Sequence, residues 1–215
     1  MTIDNTVYKE VFTEHYAEGK AVWDIGRPQA PFIEIAGKIK GPILDVGCGT
    51  GSVALFFAEK GHAVTAIDFA DQAIERAKQR AAGKNLNITF LVKDAFTLID
   101  SDWRFPSIID CGLFHIFADD YDGYVKDIEL RRSLYIKALE HVIEPDGKLY
   151  LMAAKDRPKG SALSGYSLAE LQKAFAEGWE FESIKEFVAE VTPEEALEHP
   201  GADWTTWFAV IKRKA

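Results

Sequence analysis

The sequence is poor in cysteine, carries no surplus of positive charge and has no long apolar run. Its two cysteines, Cys48 and Cys111, each stand beside a glycine inside an apolar stretch. They lack the CxxC or Cys/His spacing of metal sites and read as reduced, small buried residues. Lys and Arg total 25 against 34 Asp and Glu, a formal charge of -9. That balance offers no general attraction to phosphate backbones or anionic lipid, so neither nucleic acid nor membrane is an expected partner. Residues Met1 to Glu10 form no apolar signal core, and nothing later approaches the ~18 apolar residues of a membrane span. A cytoplasmic location is therefore expected. No repeat, low-complexity tract or linker divides the chain. Its 215 residues, 47% of them hydrophobic, read as one domain over 1–215, with a cap segment at 1–40 and a core at 41–215.

What is present is a repeating alternation. Ile43 to Val46 is a short apolar strand that runs into a glycine cluster, after which Val53, Phe56 and Phe57 take up helical spacing. Ala63 to Ile67 is a second strand. Ala70, Ala73, Ile74, Ala77 and Ala81 form one helical face, which Gly83 ends. Ile88 to Val92 and Ser107 to Leu113 give two more strands, with an irregular stretch through Trp103 and Pro106 between them. Tyr135, Ala138, Leu139 and Val142 make a helix face, and Glu144-Pro145-Asp146-Gly147 turns into the strand Lys148 to Ala153. Ser167 and Glu170 form a capping box for a helix through Leu171 and Phe175. Trp179 to Val191 and Thr205 to Lys212 read as two closing strands with no helix between them. The pattern predicts an α/β fold: a mostly parallel sheet, helices on both faces, and an antiparallel addition at one edge. Ligands of such sheets bind beyond the strands' carboxyl ends at the switch point.

The run Leu44-Asp45-Val46-Gly47-Cys48-Gly49-Thr50-Gly51 places glycines at 47, 49 and 51, where the backbone can turn sharply and approach a ligand. The dinucleotide pattern GxGxxG requires glycine at 52, where this chain has Ser52, and the lysine of a phosphate-binding P-loop is missing. Asp68 ends the second strand, where a carboxylate can accept from two ribose hydroxyls, with Phe69 offering an apolar face beside it.

This loop, its place after the first strand, and acids ending the next two strands resemble the class I methyltransferases that depend on S-adenosylmethionine (SAM). The resemblance covers most of the chain from Gly41 onward. It implies a Rossmann-like, seven-stranded sheet with an antiparallel last strand and a helical N-terminal cap, with SAM as cofactor and S-adenosylhomocysteine (SAH) as product. It further implies that Gly47, Cys48, Gly49 and Gly51 contact the methionine part, while Asp45 braces the loop and reaches the amino group. Asp68 would hold the ribose and Phe69 the adenine. Asp94 would accept from the adenine amino group, with Ala95 and Phe96 along the ring.

Beyond the fourth strand the chain reads Asp110-Cys111-Gly112-Leu113-Phe114-His115, without the Pro-Pro-aromatic or Pro-Cys signatures of nucleic acid methylation. Four segments narrow the resemblance: Trp23 to Gln29, Gly112 to His115, Lys155 to Pro158, and Phe175 to Trp179. Together they are similar to the thiopurine S-methyltransferase-like group, which includes thiol and halide methyltransferases and enzymes that methylate heterocyclic toxins. The acceptor implied is a small molecule with a thiol, halide or hydroxy/aza-heterocycle nucleophile.

Trp23 then either walls the cofactor pocket or anchors the cap. Arg27 binds a substrate anion or pairs with a surface acid, and Arg157 stands under the same two readings. Phe12, Tyr16 and Phe114 are placed as substrate-side residues. His115 takes a proton from the acceptor or orients it, or else is tied to cofactor or backbone. Trp204 and Trp207 point to opposite faces of the last strand. Asp119, Asp120 and Asp122 read as a solvated acidic loop, so no metal is expected. The oligomeric state stays open. Two other classes remain: a noncatalytic SAM-binding sensor, and a nicotinamide-dependent oxidoreductase.

Overall fold

A computed structural model describes residues 6–19, 21–118, 127–156 and 165–215. Arg157 and the acidic stretch at Asp119, Asp120 and Asp122 lie outside the described residues.

The strands are β1 (Ile43–Val46), β2 (Val64–Asp68), β3 (Ile88–Val92), β4 (Phe105–Cys111), β5 (Ile143–Ala154), β6 (Trp179–Val188) and β7 (Thr205–Arg213). They form one sheet in the order β3-β2-β1-β4-β5-β7-β6. The first five are parallel, and β7 runs antiparallel to both β5 and β6. The last strand therefore slots between its two neighbours and completes the edge.

The helices are α1 (Thr6–Glu18), α2 (Ala30–Glu34), α3 (Ser52–Glu59), α4 (Asp71–Ala81), α5 (Ile128–Val142), α6 (Leu168–Ala174) and α7 (Pro193–Glu198). Short 3-10 turns follow β3 (Ala95–Asp100) and β4 (Phe114–Phe117). Strand alternation sorts the core into two layers. Leu44, Val46, Ile108 and Leu151 pack with Tyr135 and Leu139 of α5, Leu171 of α6 and Phe175 just beyond it on one face. Ile43, Ala66, Ile109 and Met152 pack with Phe57, Ile74 and Phe32 of α3, α4 and α2 on the other. Each Leu, Ile, Val, Met or Phe among them contributes ~1.5–3 kcal/mol on full burial. Because both faces are covered, all four residues of β1 are buried, which is why that strand reads as an unbroken run.

Several boundaries differ from the sequence expectation. The fourth strand spans Phe105–Cys111 rather than Ser107 to Leu113, because Gly112 adopts φ 99 and turns the chain out of the sheet. The Glu144 to Gly147 turn is embedded in β5 as an irregularity: Phe105 pairs with Ile143, then Ser107 pairs with Lys148. Asp146 takes φ 61 within it. The expected direct passage between the last two strands is corrected by α7. Its start was legible, since Thr192 caps the Glu195 amide, Pro193 follows and acids fill the first turn. Strand β6 ends at Val188, not Val191, because the next residues leave the sheet for the segment between α1 and α2. The Thr192 amide donates to the Val22 carbonyl at 3.1 Å. Ser167 and Glu170 do form the capping box. No helix among the described residues is long and apolar enough to cross a membrane.

Candidate functional site

The chain runs outward from β1 to β3 and then returns to place β4 beside β1, on its other side. The loops leaving these two strands diverge and open a crevice. Across it the glycine loop and the turn after β4 nearly touch: a side chain on Gly47 would meet Leu113 Cβ at 3.0 Å. The crevice widens into a cavity of about 420 Å³ bounded by the glycine loop, Asp45, Asp68, Phe69, the Gly112 to Ile116 turn, α1, residues 22–29, and the Ala189 to Glu195 segment with Trp204.

The three loop glycines divide their work. Gly47 and Gly49, at φ 67 and 53, line the cavity. Gly51, at φ 81, does not; a Cβ there would meet Phe90 at 2.8 Å and Ala77 at 3.1 Å, so Gly51 lets α3 start tight against β3 and α4. The expectation that Gly51 reaches a ligand is thereby corrected to a packing role. Cys48 lines the cavity as a free thiol, as does Cys111. Burial, reinforced by Asp45, pushes both thiols up and keeps them neutral.

Three acids lie at or next to the carboxyl ends of three adjacent strands. Asp68 accepts from the Gly49 amide and the Ala70 amide, both at 2.9 Å, so it braces the glycine loop from β2. Burial raises it to about 6 against these amides. Asp110, missed in the sequence reading, is fully buried and accepts from Tyr135 Oη at 2.8 Å and from the Leu113 and Phe114 amides at 2.7 and 3.2 Å. It shapes the turn that carries His115, and burial raises it to about 7. Asp45 is 1% exposed and neither carboxylate oxygen has a hydrogen-bond partner. Burial first, then Asp110, raise it to about 8.

The cap closes the cavity from above. Tyr8 Oη donates to the Ile116 carbonyl at 3.1 Å. Tyr16 is buried against Ala70 and Ala73, and its hydroxyl sits where a Gly49 side chain would stand, accepting from Trp23 Nε1 at 3.0 Å. Trp23 is 41% exposed and gathers Phe12 at 5.4 Å and His15 at 5.7 Å between ring centroids, with Phe12 reaching Phe69 at 6.0 Å. Trp23 thus both lines the cavity and anchors the cap. A clamp that the sequence reading did not find holds residues 24–26 to the loop. Thr50 Oγ1 lies 2.8 and 2.9 Å from the Asp24 carboxylate oxygens, to which it donates. Arg80 donates to Thr50, Ser52 and the Gly26 carbonyl.

Arg27 makes a two-pronged ion pair with Glu190, and the Gln29 amide exchanges two hydrogen bonds with the Glu190 backbone. Arg27 therefore pairs with an acid of its own chain at the cavity rim. His115 and Trp204 line the cavity, while Trp207 turns into the core and donates to the Tyr166 carbonyl at 2.7 Å. Phe114 does not line the cavity: it is fully buried, stacked on Tyr166 at 4.8 Å, because the 3-10 turn sends it and His115 in different directions. Its placement on the substrate side is corrected. Asp94, Ala95 and Phe96 line a narrow adjoining cleft that shares Gly47, Asp68, Phe69, Leu113 and Ile116 with the main cavity. Asp94 Oδ1 accepts from the Phe96 amide at 2.9 Å.

Comparison with known proteins agrees with this geometry. The family model described as a methyltransferase domain matches residues 43–131. A curated relative, 2-heptyl-1-hydroxyquinolin-4(1H)-one methyltransferase of Mycobacteroides abscessus, is 41% identical over 110 residues, which are 49% of this chain and 48% of that protein. The matched stretch thus spans about half of that relative. A structure solved in work on the conversion of a disulfide bond into a thioacetal group during echinomycin biosynthesis is 30% identical. It has a TM-score of 0.78, with 96% of this chain and 93% of that one covered. The 1,6-didemethyltoxoflavin-N1-methyltransferase of Burkholderia thailandensis, solved with its substrate and SAH bound, shares the fold at 19% identity and a TM-score of 0.69. That match covers 100% of this chain and 92% of that one.

Proposed function

Since the chain belongs to the class I SAM-dependent methyltransferases, we propose that it binds SAM and transfers its methyl group to a small hydroxy- or aza-heterocycle. The observation that carries this reading is the single cavity that joins the glycine loop and Asp68 to His115 and the aromatic cap. The residues suit the cofactor on two counts. Asp45 is a buried carboxylate with no partner, fit for an ammonium, and Gly47 and Gly49 leave the backbone open where a side chain would intrude. Gly47, Cys48 and Gly49 would hold the methionine part, Asp68 the ribose, Phe69 and Asp94 to Phe96 the adenine.

Bound SAM supplies an electrophilic methyl on a good leaving group. The protein's remaining task is to position the acceptor in line, worth roughly 7–11 kcal/mol in favourable cases, and to keep water away. Phe12, Tyr16 and Trp23 do the latter from the cap. His115, at the turn after β4, receives the proton of an OH or NH acceptor. A heterocycle is favoured over a free anion because Arg27, the arginine in the cavity wall among the described residues, is already held by Glu190. The name of the Mycobacteroides relative points to the same class.

The test is transfer of labelled methyl from SAM to a panel of hydroxy- and aza-heterocycles, phenols, small thiols and iodide, with SAM binding measured calorimetrically. Transfer to a heterocycle is expected. Transfer to thiols or iodide alone would replace the acceptor class. SAM binding without any transfer would favour a sensor, and NAD binding without SAM binding would overturn the reading.

A further inference from the structure

The three acids at the strand ends are unequally served. Asp110 has three donors and Asp68 has two, whereas Asp45, walling the cavity between them, has none. Donors stabilise a carboxylate's charge; without them, a buried acid is more stable with its proton on. The titratable groups acting on Asp45 are all acids. Asp110 and Cys111 act from β4, Asp68 from β2, Cys48 from the glycine loop, and Tyr135 from α5. The nearby Ala54 backbone amide, which makes no hydrogen bond to Asp45, opposes them only in part, and burial leaves Asp45 at about 8.

We propose that Asp45 carries a proton in the ligand-free protein and releases it as the ammonium of the cofactor's amino acid half enters, so that cofactor uptake is coupled to proton loss. This rests on the SAM-binding reading above. No covalent step is involved: the proton passes from the Asp45 carboxyl to solvent, and the ammonium becomes the counter-ion of the carboxylate left behind. The coupling also makes the site select for nucleosides that bring a cation. A ligand with the same adenosine and thioether but no amino acid gives Asp45 no reason to ionise.

The linkage has a definite sign. The bound state holds fewer protons than the free state, so affinity rises with pH until Asp45 is ionised in the free protein, near 8. The experiment is calorimetric titration of the full chain with SAH at pH 7 in phosphate and in Tris, whose ionisation enthalpies differ. Release approaching about one proton per SAH is expected, with release near zero for 5′-methylthioadenosine on the same protein. In Asp45→Asn the SAH heat should lose its buffer dependence. A buffer-independent SAH heat in the unmodified protein, or equal release with 5′-methylthioadenosine, overturns the proposal while SAM binding stands. Failure of SAH to bind at all removes the functional reading with it.

Discussion

Gly49 and Gly51 are two residues apart, both in the left-handed region, and they answer to different neighbours. Gly51→Ala would drive a Cβ into Phe90 and Ala77 at a strained φ. A loss of about 1–3 kcal/mol in urea denaturation is expected, and the cavity wall is untouched. Gly49→Ala would instead push on the Tyr16 hydroxyl, 2.6 Å from the added carbon. Its expected signature is weaker SAH binding in calorimetry, out of proportion to the stability lost. His115→Ala should lower kcat for an acceptor with an OH or NH by about 10²–10⁴-fold at neutral pH. A thiolate acceptor, which brings no proton, should be nearly unaffected. Equal losses for both acceptors would remove the proton-accepting role.

Among the elements, residues 21–29 of the cap are tied by polar contacts to two separate segments, while α1 and α2 on either side of them are packed. Residues 21–29 hang between the Thr50-Asp24-Arg80 clamp on one side and Glu190 and Thr192 on the other. Thr50→Val deletes the hydroxyl that accepts from Arg80 and donates to Asp24, leaving both partners short of a bond. Hydrogen exchange should quicken across residues 21–29 and α1, with β1, β4 and β5 unchanged. SAH affinity should fall, because the clamp also holds the glycine loop. Exchange that quickens evenly across the sheet would show a general loss of stability and not a released cap.

For the whole molecule, the buried acids set the response to pH. Asp45, Asp110 and Asp68 lie at about 8, 7 and 6, all raised by burial. Their folded-state values stand above those of an unfolded chain, so the folded state binds more protons between the two. Stability from these groups is fully present below about 4 and is lost as pH rises through 6 to 8. Thermal denaturation of the ligand-free protein should therefore begin at a lower temperature at pH 8.5 than at pH 5.5. Saturating SAH should reduce that difference, since it gives Asp45 a counter-ion.

The sequence by itself determined the alternation of strands and helices, the two closing strands, the capping box at Ser167 and the glycine loop. These are local signals: hydrophobic period, turn residues and caps act within a few positions, so they survive without knowledge of the rest of the chain. The acids Asp45 and Asp68 were legible for the same reason, standing at or near the carboxyl ends of β1 and β2. Only the tertiary structure decided which loop glycine faces the cavity, that Phe114 turns inward while His115 does not, and that Arg27 is held by Glu190, 163 positions away. It also supplied the feature on which Asp45's chemistry depends, a buried carboxylate that accepts no hydrogen bond. Partners of this kind come from segments remote in the chain, and their presence or absence is a property of packing that no local pattern encodes.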